Sequence, residues 1–239
     1  LSAIAREVGE TEITTEDGIE VFQSEKYYLL KKNVKINSDK FILSADDVKI
    51  DFDKNLYDIT NLEAKGNVNF NSLEFTMKGN GKKLYFVVQS EKLKIEGDNS
   101  KLINENIKMY SNGLIEVNNL SGNFSLKGKG SKLISDDIII EAESIDGIFT
   151  NIDGKKQISL LNVVDEKISF VQNKDTDMYA KKINFDYDTS IIELIDDVTI
   201  IRNGENIAGD YGTLDTKNNS YKIKSNNQNK VKVIIQNNE

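Results

Sequence analysis

Cysteine, histidine, proline and tryptophan are all absent from the 239 residues, and these absences exclude several classes of protein. Without cysteine and histidine the chain can have no disulfide framework, no zinc cluster and no serine–histidine or cysteine–histidine nucleophile. A metal site would have to be built from carboxylates and carbonyls, which suits Ca²⁺ or Mg²⁺. The absence of proline excludes collagen-like and proline-rich segments. We therefore predict a protein that is not an enzyme and that holds neither a cofactor nor a metal.

Positive charge and long apolar stretches are also scarce. The chain carries 31 basic and 39 acidic residues, a net charge of −8, so we expect no nucleic-acid partner. No stretch approaches the ~20 apolar residues that a membrane-spanning helix needs. The sequence starts at Leu1 without a methionine or a signal-peptide core. We interpret this start as a mature or trimmed terminus, which leaves open a removed signal or membrane anchor.

Alternation of apolar and polar residues is the main pattern that the sequence does show. Residues 34–37 and 231–233 each place apolar side chains on one face and polar ones on the other, which is the period of a half-buried strand. Dipeptides such as Gly66-Asn67, Asp153-Gly154 and Asn203-Gly204 supply the positive φ angles of tight hairpins. The sequence therefore predicts an all-β, antiparallel protein with well over a dozen short strands.

An internal repeat underlies the alternation. Residues 34–59 align with residues 198–223 without a gap, at an offset of 164 residues (198 minus 34), and such self-similarity marks a repetitive β architecture. A small residue recurs inside the repeated units, at Ala45, Gly79, Gly97, Gly128, Ala142, Ala180 and Gly209. We interpret these positions as a crease where the sheet folds over into two facing layers. We predict a short lead-in over residues 1–9 and one domain of repeated hairpins over residues 10–236.

The order and spacing of these units resemble the OstA-like family of lipopolysaccharide transport, which includes the periplasmic LptA and LptC proteins and the amino-terminal domain of LptD. The clearest match is residues 192–223, which contain Ile207-Ala208-Gly209-Asp210. The next is residues 28–70, which contain Gly66-Asn67-Val68. Looser copies extend the resemblance over most of residues 10–235, while residues 98–175 depart from the family pattern.

The resemblance implies a β-jellyroll bent like a taco shell (a β-taco), open at both ends, with an apolar groove that carries lipid acyl chains. It implies a periplasmic protein of the Gram-negative envelope that bridges or carries lipopolysaccharide. The expected partners are lipopolysaccharide or lipid A and other jellyroll subunits of the transport machine, joined by edge-strand pairing. Head-to-tail self-association through the first and last strands is expected as well.

The candidate groove residues are the apolar members of the alternating runs, for which core packing and ligand contact are both open. They are Val34, Ile36, Phe41, Leu43, Val68, Phe70, Phe75, Met77, Leu84, Phe86, Val198, Ile200, Ile207 and Leu214. Lysine pairs such as Lys31-Lys32 and Lys181-Lys182 could bind lipid phosphates or could be solvated turn residues.

A second function stays open beside lipid transport. A structural β-solenoid or surface adhesin would fill its own core and bind nothing apolar. A solenoid needs nearly constant turn lengths, whereas the recurring small residues are unevenly spaced. The irregular spacing favours hairpins of varied length over stacked coils, and so favours the transport hypothesis.

Overall fold

The chain is all-β and antiparallel in a computed structural model, which describes residues 7–55, 58–226 and 230–235. Those residues contain no helix, and their strand pairings are antiparallel. The predicted fold class is therefore confirmed. Residues 1–6 of the predicted lead-in lie outside the described ranges, and the first strand begins at Glu12.

The strands divide between two compact units. Unit 1 comprises Leu1–Glu105 and Asn112–Leu120, and unit 2 comprises Asn106–Ser111 and Ser121–Glu239. The single domain predicted for residues 10–236 stays a prediction.

In unit 1 a sheet runs from β1 and β2 through β3, β4, β5 and β6 to β7 and β8, and β10 pairs with β7. Its strands are β1 (Glu12–Thr14), β2 (Gly18–Phe22), β3 (Tyr27–Asn37), β4 (Phe41–Phe52), β5 (Ile59–Ser72), β6 (Met77–Val87), β7 (Lys92–Glu96), β8 (Ser100–Asn104) and β10 (Leu114–Asn118).

In unit 2 a sheet runs from β9 through β11 and each following strand to β16, which pairs with both β17 and β18. Its strands are β9 (Ile107–Ser111), β11 (Asn123–Ser135), β12 (Ile138–Ile152), β13 (Lys155–Asn173), β14 (Thr176–Asp186), β15 (Ile191–Arg202), β16 (Glu205–Asp215), β17 (Ser220–Lys224) and β18 (Lys232–Ile235). The stretch 98–175, irregular in sequence, thus contains long paired strands.

The long strands bend at a corner near their middle, where the pairing register shifts. In β3 and β15 the shift falls at two consecutive residues with positive φ, Lys32-Asn33 and Asp196-Asp197, which are 164 residues apart like the repeat itself. The corner of β5 is Gly66-Asn67, with φ angles of 72° and 47°. Our prediction of a tight hairpin at Gly66-Asn67 is wrong, because the same pair of left-handed residues here turns the chain within one strand. Asp153-Gly154 and Asn203-Gly204, by contrast, do connect hairpin strands.

In each unit these corners fold the strands over into two layers that face each other. Phe75 and Phe86 of unit 1 are in ring contact, with centroids 6.0 Å apart. In unit 2 the Tyr221 hydroxyl donates a hydrogen bond of 2.6 Å to Glu205, although Tyr221 pairs with Leu214. Residues 205 and 214 of a straight strand would be about 30 Å apart. The hydrogen bond therefore requires that β16 fold back on itself.

Six of the seven recurring small residues lie at or beside a corner, as predicted, and they include Gly209, which pairs with Val198 at the border of a register shift. Ala45, Ala142 and Ala180 lie within register shifts of the bent strands. At two further corners the bend leaves a glycine carbonyl without a partner in the sheet, and a buried serine hydroxyl donates a hydrogen bond to it. Ser100 donates to the Gly97 carbonyl at 2.6 Å, and Ser131 donates to the Gly128 carbonyl at 2.7 Å.

Gly79 is the exception, because it lies beyond the corner of β6 and pairs with Phe70. A Cβ atom at Gly79 would collide with the Ile95 side chain of the facing layer, 2.6 Å away. Close approach of the two layers, rather than a bend, thus accounts for this glycine.

Candidate functional site

The predicted groove residues lie in the interior between the facing layers of each unit. Ten of them are buried: Val34, Ile36, Leu43, Val68, Phe70, Met77, Leu84, Val198, Ile200 and Leu214. The other four, Phe41, Phe75, Phe86 and Ile207, are half-buried. The interior is therefore a packed apolar core over most of its length, and the lipid-binding role of these residues stays a prediction.

The strand register joins the interior side chains into continuous apolar rows, because directly paired residues point to the same face of a sheet. One row of unit 1 crosses six strands: Ile13, Ile36, Leu43, Phe70, Gly79 and Leu102. A corresponding row of unit 2 crosses eight: Met109, Leu133, Ile140, Val171, Met178, Ile200, Ile207 and Val233. An apolar face thus extends across the strands of each unit, from its first to its last.

A second inner row of unit 1 begins at Ile19 on β2 and continues through Leu30 and Val48. The apolar inner face is partly exposed at β2 in unit 1 and at β18 in unit 2. On β2, Ile19 and Val21 pair with the buried Leu30 and Tyr28 but are themselves 47% and 53% exposed. They therefore belong to the inner face of unit 1, yet no layer lies against them among the described residues of that unit. We call Ile19 and Val21 the β2 patch.

The last strand of the chain shows the same arrangement. On β18, Val233 and Ile235 pair with Ile207 and Glu205 and are 52% and 64% exposed. We call Val233 and Ile235 the β18 patch. Among the described strands of their units, β2 pairs with β3 alone and β18 with β16 alone, so each patch borders a sheet edge.

In each unit the edge of the folded sheet that lies opposite the crease, which we call the rim, is closed by a side-chain contact between the two layers. We call this contact the clasp. Phe75 and Phe86, two of the predicted groove residues, close this rim in unit 1. In unit 2 the hydrogen bond from Tyr221 to Glu205 does so, and it is also the main reason that the pKa of Tyr221 lies above its ordinary value. Arg202 lies beside them and donates a hydrogen bond of 3.2 Å to the Asn219 carbonyl.

Sequence reasoning predicted an apolar edge at the last strand but missed the β2 patch and the polar clasp. Ile19 and Val21 alternate with Glu20 as a strand should, but alternation cannot show that the facing layer stops short of them. Glu205 and Tyr221 carry no signal in the sequence, because their contact depends on the fold-back of β16.

Several charged residues singled out in the sequence contact other charged residues in ion pairs. Among the described residues, no group of three or more carboxylates is arranged to hold a metal ion. Lys31 and Lys181, which were candidates for phosphate binding, form ion pairs of 2.9 Å with Glu20 and Asp197. The described part of the chain contains no helix that is long and apolar enough to cross a membrane.

Comparison with known proteins finds similarity among solved structures. No protein-family model matches the chain, and a search of curated proteins finds no match. Among solved structures the chain is similar to LptH of Pseudomonas aeruginosa, described as the LptA homologous periplasmic component of the lipopolysaccharide transport device. The similarity covers 95% of this chain and 96% of that one, at 10% sequence identity and a TM-score of 0.24. At this identity and TM-score the likeness assigns neither a family nor a function to the chain.

Proposed function

We propose that the protein is a periplasmic carrier or bridge for lipopolysaccharide, which holds acyl chains against the apolar interior and passes them along a row of similar subunits. The observation that carries this proposal is the pair of uncovered patches on β2 and β18. A self-contained β protein would cover its inner face at both ends, since exposed apolar surface next to a sheet edge invites association. Here the interior rows run out to both terminal strands and end exposed.

The energetics of apolar burial support acyl chains as the ligand. Burial is favourable by about 0.8 kcal/mol for each methylene group, so a chain of about twelve carbons gains roughly 10 kcal/mol before its ordering cost. In unit 1 the half-buried Phe75 and Phe86 would have to separate for a chain to enter, and in unit 2 the half-buried Ile207 offers a first contact. Deeper entry would separate the layers around residues such as Ile36 and Ile200, which are 1% exposed.

The proposed partners follow from the same edges. Strand addition at β2 or β18 would supply main-chain hydrogen bonds and would cover a patch with apolar surface from the next subunit. The partners are other jellyroll subunits of the transport machine or further copies of this chain, and residues 10–236 would act as one module. The net charge of −8 gives no support to a nucleic-acid partner.

Site-specific photo-crosslinking to lipopolysaccharide tests the proposal with matched neighbours. A photoreactive residue at Val21 or Ile207 faces the interior, whereas one at Glu20 or Asn206 faces outward on the same strands. We expect lipopolysaccharide adducts at Val21 and Ile207 and none at Glu20 and Asn206. Equal labelling of both faces, or no labelling at any position, would contradict lipid carriage.

A structural β protein with a self-filled core is the second candidate, and the buried interior favours it. Ten of the fourteen predicted groove residues are already packed away from solvent. A self-filled core predicts no adduct at any of the four positions. It also predicts no change in the near-ultraviolet dichroism of the interior aromatic residues when lipopolysaccharide is added.

A further inference from the structure

The outer face of unit 2, which faces away from the apolar interior, contains a cavity of about 550 Å³. It lies where β12, β13, β14 and β15 run side by side. The register places one polar residue from each strand in a single row: Asp146, Asn162, Asn184 and Glu193. Neighbouring strands are about 4.8 Å apart, so this row is roughly 14 Å long.

The two ends of the row are held in place by hydrogen bonds. At one end Asp146 accepts hydrogen bonds from Lys127 and, at 2.7 Å, from Ser125. At the other end Glu193 accepts hydrogen bonds from Asn184, at 3.1 Å, and from the Tyr211 hydroxyl, at 2.8 Å. Both carboxylates are therefore fixed before any ligand arrives, which lowers the ordering cost of binding.

One of the two middle residues of the row, Asn162, differs from its neighbour Asn184, which donates to Glu193. Asn162 lies between Asp146 and Asn184 in the register and lines the cavity. Among the described residues, its side-chain amide has no hydrogen-bond partner. An amide offers two donors and an acceptor, so the free group of this row can both give and accept hydrogen bonds.

An apolar strip borders the row. Ile148, Leu160 and Ile191 lie two positions along their strands from the polar row and line the same cavity, and Asp186 of β14 lies between Leu160 and Ile191 in this register. Leu160 is 42% exposed, although it belongs to a folded sheet. A row of fixed polar groups beside apolar side chains suits a ligand with hydroxyl groups on one edge and C–H groups on a face.

We propose that this outer face of unit 2 is a binding site for a neutral oligosaccharide segment of two to three pyranose rings. The hydroxyl groups of the sugar would bond to Asn162 and to the carboxylates of the row, and a ring face would rest on Leu160. The length of the row matches such a segment. This inference does not depend on lipid carriage, because the cavity lies on the opposite face of the sheet from the predicted groove.

The charges of the lining set the ligand class. Among the described residues, Asp146, Asp186 and Glu193 line the cavity and no basic residue does. Lys127 pairs with Asp146, so phosphorylated and carboxylated sugars meet like charge chiefly at Asp186 and Glu193. Hydrogen bonds from Asn184 and Tyr211 lower the pKa of Glu193, which keeps this carboxylate an acceptor at neutral pH. The described residues offer no arrangement of carboxylates that would bind a metal ion instead.

The test is an amide-resolved NMR titration of the full chain with three neutral trisaccharides, maltotriose, cellotriose and triacetylchitotriose, and with a trimer of galacturonic acid as the anionic probe. We expect saturable shifts for at least one neutral probe, centred on residues 146–148, 160–162 and 191–193. The anionic probe should bind at least tenfold more weakly.

Two pairs of variants locate the site. Asn162→Ala should weaken binding about three- to tenfold, the effect of one lost hydrogen bond, while Asn206→Ala on the same unit should not. Leu160→Ala should weaken binding, while Ile168→Ala, on the same strand and 40% exposed, should not. These side chains are solvent-accessible, and an unchanged amide spectrum will verify that each variant is folded.

The proposal is overturned if no neutral trisaccharide produces a saturable shift at the cavity. It is equally overturned if the galacturonic acid trimer binds as tightly as the neutral probes, or if all four variants behave alike.

Discussion

Asp146 shows how a partly exposed carboxylate can be tuned by its neighbours. Burial raises its pKa, but hydrogen bonds from Lys127 and Ser125 and the charge of Lys127 outweigh burial, so the pKa lies below its ordinary value. A carboxylate with a lowered folded-state pKa stabilises the fold above its unfolded pKa, near 3.9. That stability is lost as the pH falls through the folded value.

We therefore expect Asp146→Asn to lower the free energy of unfolding at pH 7 by up to about 1 kcal/mol, a value limited by solvent screening of the exposed pair. At pH 2.5 the variant and the parent should differ less. Urea unfolding at both pH values measures this. Asp98→Asn, which removes a more exposed ion pair with Lys82, is the control, and a pH-independent loss in Asp146→Asn would contradict the assignment.

The hydrogen bond of Tyr221 gives a second prediction about how stability depends on pH, in this case at high pH. Its hydrogen bond to Glu205 raises the pKa of the phenol, so the clasp stabilises the fold below the ordinary tyrosine pKa, near 10. This stability disappears as the pH rises through the raised folded-state value. Tyr221→Phe should cost about 1 kcal/mol at pH 8 and much less at pH 11.

Denaturant unfolding at pH 8 and pH 11 tests this, with Tyr85→Phe as the control. Tyr85 is an exposed side chain on the outer face, and its variant should follow the parent at both pH values. If the cost of Tyr221→Phe is the same at both pH values, the hydrogen bond is not the source of the stability.

At the scale of the strand, the corners determine the fold, and Gly66 is the most constrained of them. Its φ of 72° is left-handed, and a Cβ atom there would also collide with the side chain of Asp46. Gly154 has a similar φ of 78° with nothing near its Cβ position. A left-handed conformation costs a residue with a side chain about 1–2 kcal/mol.

We expect Gly154→Ala to cost about 1 kcal/mol and Gly66→Ala clearly more, because only the latter adds a steric clash. Thermal or urea unfolding of the two variants measures the difference. The double variant Gly66→Ala with Asp46→Ala should recover part of the excess cost, because it removes the Asp46 carboxylate but keeps its Cβ atom, 2.8 Å from the added methyl group. Equal costs for Gly66→Ala and Gly154→Ala would show that the contact with Asp46 is unimportant.

The strands and most crease positions could be predicted from the sequence, because alternation and small residues are local signals. The offset of 164 residues also placed the corners of β3 and β15 in equivalent positions. The prediction of a hairpin at Gly66-Asn67 was wrong, because a Gly-Asn pair with left-handed φ angles can form either a hairpin turn or a corner within one strand. The clasp of Glu205 and Tyr221 and the polar row around Asn162 also could not be predicted, because both depend on register between strands.

At the scale of the molecule, the proposed pairing of the β18 patch of one copy with the β2 patch of the next would make self-association directional. Val233→Lys places a charge on the β18 patch, and Ile19→Lys places one on the β2 patch. Ile234→Lys changes the neighbouring outward residue, which is 47% exposed and close to the 52% of Val233. If β18 of one copy joins β2 of the next, the first two variants should be monomeric, whereas Ile234→Lys should associate with concentration like the parent.

Mixing the Val233→Lys and Ile19→Lys variants distinguishes a head-to-tail contact between β18 and β2 from a two-fold dimer. Val233→Lys keeps its β2 patch and Ile19→Lys keeps its β18 patch, so an equimolar mixture should form dimers and stop there. Sedimentation velocity across a concentration series distinguishes monomers, capped dimers and open chains. A mixture that stays monomeric, or a parent protein that does not associate at high concentration, would contradict head-to-tail assembly.

The neighbour-to-neighbour strand pairing also has a consequence for how this protein folds and how its length can change. From β11 to β16 each strand pairs with the next in sequence, so each pairing can form by zipping from its own turn, and closing that turn costs little entropy. Stability is then close to a sum of hairpin contributions and nearest-neighbour terms, as in a one-dimensional array. Gene segments that encode one hairpin can be gained or lost without redesigning the rest, and the number of hairpins sets the length of the apolar path.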